Sequence, residues 1–145
     1  PCEEIRSHLS VQMPEGIEVM EVYEPERKVK EIKWLEVSGV FEYDERDAGK
    51  MAAALNEFYS ADSIVIEKKT KRGIGQSDIR PAIKSITFEQ SGGDVVMRAV
   101  ISAQEPTLNP ELIADALRQL APNIAPDFAK FKRLEIFDEN MQVFR

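Results

Sequence analysis

The segment Trp34–Tyr43 reads WLEVSGVFEY and alternates between two kinds of residue. Apolar residues and one glycine occupy every second position from Leu35 to Tyr43, and polar residues such as Glu36 and Glu42 lie between them. Successive side chains of a strand point to opposite faces, so this alternation places one face against a core and the other in water. The segment therefore predicts a half-buried strand of an antiparallel sheet.

Two helices are predicted downstream of this strand. The first carries an apolar stripe from Ala48 to Tyr59 at helical spacing, and Asp44 or Asp47 can cap its N-terminus. The second begins at Asn109, an N-cap residue that is followed by proline, the residue best suited to a first helical position. Apolar residues then recur on one side of this second helix.

The remaining strands complete a mixed pattern. They are predicted at Ser63–Lys69, Ala82–Glu89, Val95–Ser102 and Lys132–Phe137. A Gly-Gly pair predicts a tight hairpin turn between the second and third of these strands. The order strand, helix, strand, strand, strand, helix, strand predicts an α+β protein with a ferredoxin-like split βαβ sandwich, whose second strand is extended or interrupted around the basic residues that follow Glu67. Its sheet would be mostly antiparallel, with the helices packed on one face.

The N-terminal part is predicted to be a separate piece. Helical spacing of apolar residues after Pro1 predicts a helix, and alternation over Ile17–Tyr23 predicts a strand. The charged segment Glu24–Lys30 has no apolar periodicity and is interpreted as a connector, with a loop inside a single domain as the alternative. We therefore divide the chain into residues 1–30, a remnant helix and strand of a preceding unit plus the connector, and residues 31–145, the ferredoxin-like domain.

Composition excludes several classes of protein. The chain has 145 residues and a net charge of -7, so a broad nucleic-acid-coating surface is not expected. A single cysteine, Cys2, and a single histidine, His8, provide neither an internal disulfide, nor a zinc site, nor a catalytic triad. No apolar run has the length of a membrane span. We expect a cytoplasmic protein without metal, cofactor or catalytic residues.

One stretch, Ile64–Pro81, gathers positive charge in this acidic protein and reads IVIEKKTKRGIGQSDIRP. Its basic residues lie within five positions and are Lys68, Lys69, Lys71 and Arg72. Basic side chains beside glycines can approach phosphate oxygens, which makes this hairpin-like loop a candidate contact for RNA or for a substrate phosphate. The alternative is a hairpin tip whose lysines keep a sheet edge soluble.

Asp78 and Arg80 follow the basic loop and are two residues apart. On a strand, both would share one face, so the carboxylate of Asp78 could orient the guanidinium of Arg80 toward a carboxylate or phosphate ligand. The alternative is an internal ion pair that fixes the exit of the loop. Both residues are included in the candidate binding group.

Other charged and aromatic residues are interpreted as structural. The acidic cluster from Glu42 to Asp47 complements a helix N-terminus and needs no metal. Trp34 and Phe41 could each offer a stacking surface for a base, but packing in a core or at an interface is the favoured interpretation.

With these residues placed, the chain resembles a bacterial family of unknown function, the radical-SAM-linked domain, over nearly its whole length. The basic loop followed by Asp-Ile-Arg-Pro is the most distinctive feature of the resemblance. The resembling segments are MPEGIEVMEV at Met13–Val22, LNEFYSADSIVIEKKTKRG at Leu55–Gly73, SDIRPAIKSI at Ser77–Ile86, the LNPELIADAL helix, and KRLEIFD at Lys132–Asp138.

The resemblance implies a partner and no catalytic residues. Members of the family are fused to, or encoded beside, cobalamin-binding-type radical SAM proteins, and this chain resembles the C-terminal part of the full-length domain. The chain has no CxxxCxxC motif of its own for an iron–sulfur cluster. We expect a non-enzymatic accessory module that binds RNA or a substrate. The alternative is a protein-interaction domain that docks a radical SAM enzyme without contacting nucleic acid.

Overall fold

The computed structural model describes residues 1–145 and contains three α-helices and six strands. Two short 3-10 helices lie at Val29–Glu31 and Arg80–Ala82. The fold is a mixed α+β arrangement, as the sequence predicts. In chain order the elements are α1 (Cys2–Gln12), β1 (Ile32–Glu42), α2 (Ala48–Phe58), β2 (Val65–Thr70), β3 (Gly73–Asp78), β4 (Ile83–Ser91), β5 (Asp94–Ser102), α3 (Glu111–Leu120) and β6 (Phe128–Asp138).

The strands form two antiparallel sheets. Four of them make the main sheet in the order β4-β5-β1-β6, and β2 pairs only with β3 in a second sheet of two strands. β1 is central, pairing antiparallel with β5 on one side and with β6 on the other. β4 and β5 are joined by the predicted Gly-Gly turn, with Ser91 paired to Asp94. The alternation of β1 in the sequence matches its burial, because its residues alternate between buried and half-buried from Val37 onward.

The core lies between one face of the main sheet and the helices α2 and α3. Val37 and Phe41 of β1 are almost fully buried on this face, at 2% and 0% exposure. The ring of Phe41 packs 5.6 Å from that of Phe88 on β4, which in turn packs 5.6 Å from the ring of Tyr59 at the end of α2. The apolar stripe predicted for the first helix therefore faces the sheet.

The start of α2 agrees with the predicted cap, whereas α3 begins one residue later than predicted and has Pro110 rather than Asn109 as its N-cap. Asp47 is the N-cap of α2, and its carboxylate accepts a hydrogen bond of 2.9 Å from the amide of Lys50. The side-chain oxygen of Asn109 accepts a hydrogen bond of 3.1 Å from the amide of Glu111, the first residue of α3. None of the helices combines the length and the apolar character that crossing a membrane requires.

Three predictions about strands are wrong. No strand forms at Ile17–Tyr23, because this segment pairs with no neighbouring strand and alternation alone cannot hold a strand. The last strand begins at Phe128 rather than Lys132, because it pairs with the whole length of β1. The glycine-spaced segment Gly73–Asp78, interpreted as a loop, is the strand β3. The division between residues 1–30 and 31–145 stays a prediction.

Side-chain amides occupy two open strand edges. The amide of Asn56 on α2 donates to the carbonyl of Phe88 at 2.8 Å and accepts from its backbone N–H at 3.0 Å. The amide of Gln119 on α3 makes the same pair of bonds with Glu67 of β2, at 3.1 and 2.8 Å. Each amide thus takes the place of a neighbouring strand and binds a backbone N–H and C=O that would otherwise be free to pair with the strand of another molecule.

We expect Asn56→Ala to lower the free energy of unfolding by about 1–2 kcal/mol, because two hydrogen bonds to the edge of β4 are lost. Urea denaturation followed by circular dichroism measures this change. Asn140→Ala is the matched control, since the Asn140 side chain is exposed and makes no hydrogen bond, and it should change stability by less than about 0.5 kcal/mol. Equal stability of the two variants would contradict the role of Asn56.

Candidate nucleic-acid interface

The predicted basic residues lie at the tip of the β2–β3 hairpin. Thr70 and Gly73 are the last paired residues, and Lys71 and Arg72 form the turn between them. The hydroxyl of Thr70 donates to the carbonyl of Gly73 at 3.0 Å and accepts from the amide of Arg72 at 3.3 Å, which fixes the turn. Gly73 has a φ of 120°, a conformation that a side chain would strain.

The base of the hairpin is anchored in the core. Ile64, Ile66 and Ile79 are at most 3% exposed and belong to the same apolar cluster as the helices. Gln119 joins α3 to β2 through its amide, as described above. The tip residues beyond Glu67 are all exposed, so the hairpin leaves the body of the protein with its charged end in water.

The four basic side chains of the tip, Lys68, Lys69, Lys71 and Arg72, have no carboxylate partner and make no side-chain hydrogen bond. Elsewhere, most arginines pair with acids, as Arg98 does with Glu36 at 2.8 Å. Lys68 and Lys69 are adjacent on a strand, so their side chains leave opposite faces of the hairpin. Positive charge is therefore available on both faces of the hairpin and at its turn, and the role of these four residues as ligand contacts stays a prediction.

An open groove of about 500 Å³ lies between the hairpin and α3. Ligand pockets are commonly about 300–1,000 Å³, so the groove has the size of a small-molecule or nucleotide site. All but one of its residues are polar, and it is lined by Glu67, Lys68, Lys69, Thr107, Asn109, Leu112, Asp115 and Gln119. Local patterns could not reveal the α3 side of this groove, because those residues meet the hairpin only through the packing of α3.

Asp78 closes the base of the hairpin. Its carboxylate accepts from the amide of Ile64 at 2.8 Å, the hydroxyl of Ser63 at 2.7 Å and the amide of Arg80 at 3.0 Å. These bonds, led by that from Ile64, hold the pKa of Asp78 below its ordinary value. Asp78 therefore binds the backbone of Arg80 and not its guanidinium.

The guanidinium of Arg80 is directed into the protein. It donates to the carbonyl of Tyr59 at 3.1 Å and to that of Ile83 at 2.7 Å, which joins the end of α2 to the start of β4. The side-chain ion pair between Asp78 and Arg80, expected under both interpretations of the sequence, is not formed. The two residues are thus set apart from the basic tip, and their role as ligand contacts stays a prediction.

Comparison with known families assigns the chain to one of them. It belongs to the bacterial family described as an uncharacterised protein conserved in bacteria, DUF2344, whose model matches residues 1–110. The match contains the whole hairpin and ends before α3 and β6. No curated protein and no solved structure matches the chain. The description of the family gives neither an activity nor a partner, and a bacterial family of unknown function agrees with the expected resemblance.

We expect Asp78→Asn to destabilise the protein at neutral pH, with a deficit that shrinks on acidification. A carboxylate with a lowered pKa in the folded state contributes stability above its unfolded pKa of about 3.9, and this contribution is lost as the pH falls through the folded value. Urea denaturation of both proteins between roughly pH 3 and pH 7 measures the effect.

The matched control for this experiment is Asp62→Asn, because Asp62 is exposed and makes no hydrogen bond. The control should follow the wild type at every pH. A constant difference between wild type and Asp78→Asn across the pH range would contradict the assigned role of the carboxylate.

Proposed function

We propose that the β2–β3 hairpin binds the phosphate groups of RNA, and that the protein is an RNA-binding accessory module without catalytic activity. The observation that carries the proposal is the group of four exposed cationic side chains at the tip, none of which has an acidic partner. Such a group gains free energy when it meets phosphates, because condensed counterions are released. A phosphate carried by a smaller substrate offers the same chemistry and is separated from RNA in the experiment below.

Solubility alone accounts poorly for this grouping. Four like charges within five residues repel one another, whereas scattered lysines would keep the hairpin soluble without that cost. The exposed edge of β2 is also already occupied at Glu67 by the amide of Gln119. Because the whole chain carries a net charge of -7, attraction to RNA would be confined to the tip and would be sensitive to salt.

We further propose that the main sheet and its two helices form a ferredoxin-like sandwich. In support, its strands occur in the order β4-β5-β1-β6 and are all antiparallel. The helices α2 and α3 share one core. The hydroxyl of Tyr59, the residue that follows α2, donates to the carbonyl of Ile113 on α3 at 2.5 Å. In this description the basic hairpin is an insertion between α2 and β4.

The accessory role also rests on the resemblance to radical-SAM-linked domains. In that role, this chain holds RNA or a substrate in the cytoplasm, and a radical SAM protein supplies the iron–sulfur chemistry. The lone cysteine, Cys2, is consistent with a reducing compartment.

A second candidate function is docking of a protein partner, for which a radical SAM enzyme is the proposed occupant. Exposed apolar side chains in the N-terminal segment favour it. Ile5 and Leu9 lie on one side of α1 and are 50% and 39% exposed, and Met20 is 87% exposed. α1 itself contains no buried residue.

Binding of a labelled single-stranded RNA, followed by fluorescence anisotropy at rising salt, tests the leading proposal. If the tip neutralises about four phosphates, affinity should fall roughly 50-fold between 50 and 200 mM salt. The variant with Lys68, Lys69, Lys71 and Arg72 all changed to Ala should lose most of this binding. The matched control removes four exposed, unpaired cations from other parts of the surface, by changing Lys30, Lys50, Lys132 and Arg133 to Ala, and should retain it.

Three outcomes would overturn RNA binding at the hairpin. They are an absence of salt-sensitive binding, equal binding by wild type and the hairpin variant, and equal losses in the hairpin and control variants. Competition by inorganic phosphate at matched ionic strength would assign the tip to a small phosphorylated substrate instead. Co-purification of a radical SAM protein with both wild type and hairpin variant, without RNA binding, would favour docking.

A further inference from the structure

The hairpin and the first residues of β1 lie at the same end of the main sheet. The chain passes from the hairpin through the 3-10 helix at Arg80–Ala82 directly into β4. Ile83 at the start of β4 pairs with Ile101, and the next residue of β5, Ser102, pairs with Trp34. Trp34 is therefore two strands away from the point where the hairpin joins the sheet.

The ring of Trp34 belongs to the sheet face that carries no helix. Along β1 the buried residues Val37 and Phe41 face the core, and Trp34 alternates with them onto the opposite face. Trp34 is half-buried, whereas Phe41 is fully enclosed and cannot stack on a ligand. Of the two aromatic residues considered from the sequence, only Trp34 has a ring within reach of solvent.

Two lysines lie against this ring. The ammonium of Lys84 is 4.9 Å from the ring centroid and that of Lys33 is 5.8 Å from it. Neither has a carboxylate partner. The Lys33 ammonium donates to the backbone carbonyls of Gln104 and Glu105 at 3.3 and 3.5 Å, whereas that of Lys84 makes no hydrogen bond. Farther along the same face two ion pairs form, between Glu36 and Arg98 and between Glu42 and Lys130, each at 2.8 Å. Unpaired positive charge and an accessible aromatic ring thus coincide at the end nearest the hairpin.

We propose that Trp34, with Lys33 and Lys84 beside it, is a stacking site for an unpaired base of the RNA whose phosphates the hairpin binds. This inference rests on the function proposed above and adds that the ligand is single-stranded. Stacking of a base on an aromatic ring is stronger than an exposed cation–π contact, so a base displaces a lysine head from the ring. The displaced ammonium is that of Lys84, which has no other partner and then meets the adjoining phosphate. Paired bases present no free face to such a ring.

Trp34 is the only tryptophan in the chain, so intrinsic fluorescence reports directly on this site. Wild-type protein is titrated with an unlabelled single-stranded RNA and, separately, with a fully paired RNA of the same length. We expect saturable quenching by the single strand with the midpoint found by anisotropy, and no quenching by the duplex. The four-alanine hairpin variant should need more RNA to reach the same final quenching.

A substitution provides an independent measurement. Trp34→Ala should weaken single-strand binding at least about fivefold, whereas Trp34→Phe, which keeps a ring, should retain most of the affinity. Tyr23→Ala is the matched control, because Tyr23 is an aromatic residue with 55% exposure in the N-terminal segment. Circular dichroism checks that each variant is folded. If Trp34→Ala does not fold, the fluorescence titration of the wild-type protein still decides the question.

The outcomes separate the two proposals. Salt-sensitive RNA binding without a change in Trp34 emission, or binding of duplex and single strand with equal affinity, would overturn the stacking site and leave the hairpin proposal intact. Absence of RNA binding would overturn both.

Discussion

Tyr59 joins all the parts of this protein that position its candidate interface. Its ring stacks on Phe88 of β4 and its hydroxyl donates to the carbonyl of Ile113 on α3. Its own carbonyl accepts from the guanidinium of Arg80, at the exit of the hairpin. Burial raises the pKa of the Tyr59 phenol far above its ordinary value, so the hydroxyl stays protonated and available as a donor. The end of α2, the sheet, α3 and the hairpin therefore depend on one buried residue.

That arrangement explains why the hairpin can carry unpaired charge. Its base is held by buried isoleucines, by the carboxylate of Asp78 and by the amide of Gln119, so the tip needs no contacts of its own. The ion pairs of the protein lie elsewhere, for example between Arg46 and Asp127 at 3.2 Å and between Arg27 and Asp138 at 2.6 Å. The charged residues that form these ion pairs are therefore different from those of the tip.

The sequence predicts the elements whose local and tertiary preferences agree. β1 pairs on both sides and buries one face, so its alternation is visible, and Asp47 caps α2 where the apolar stripe begins. Prediction failed where pairing alone decides the structure. Ile17–Tyr23 alternates as well but has no strand beside it, whereas Gly73–Asp78 has weak strand propensity and is held by β2.

In the candidate site, too, the sequence reveals what neighbouring residues decide and not what distant contacts decide. The cluster of lysines is readable because its members are adjacent in sequence, and they remain together on one hairpin. A spacing of two residues could not reveal that Asp78 and Arg80 form no ion pair, because both side chains bind backbone amides and carbonyls instead. The groove beside α3 and the placement of Lys84 over Trp34 depend on contacts between distant residues, which no local pattern contains.

RNA binding by the hairpin tip is tested most directly by NMR, with backbone amide chemical shifts followed during titration with single-stranded RNA. We expect the largest changes between Lys68 and Gly75, with smaller changes near Trp34 and Lys84. Amides of α1 and of the Ser91–Asp94 turn should remain unchanged. Changes centred on α1, or none at the hairpin under conditions where RNA binds, would contradict the claim that the unpaired cations of the tip make the contact.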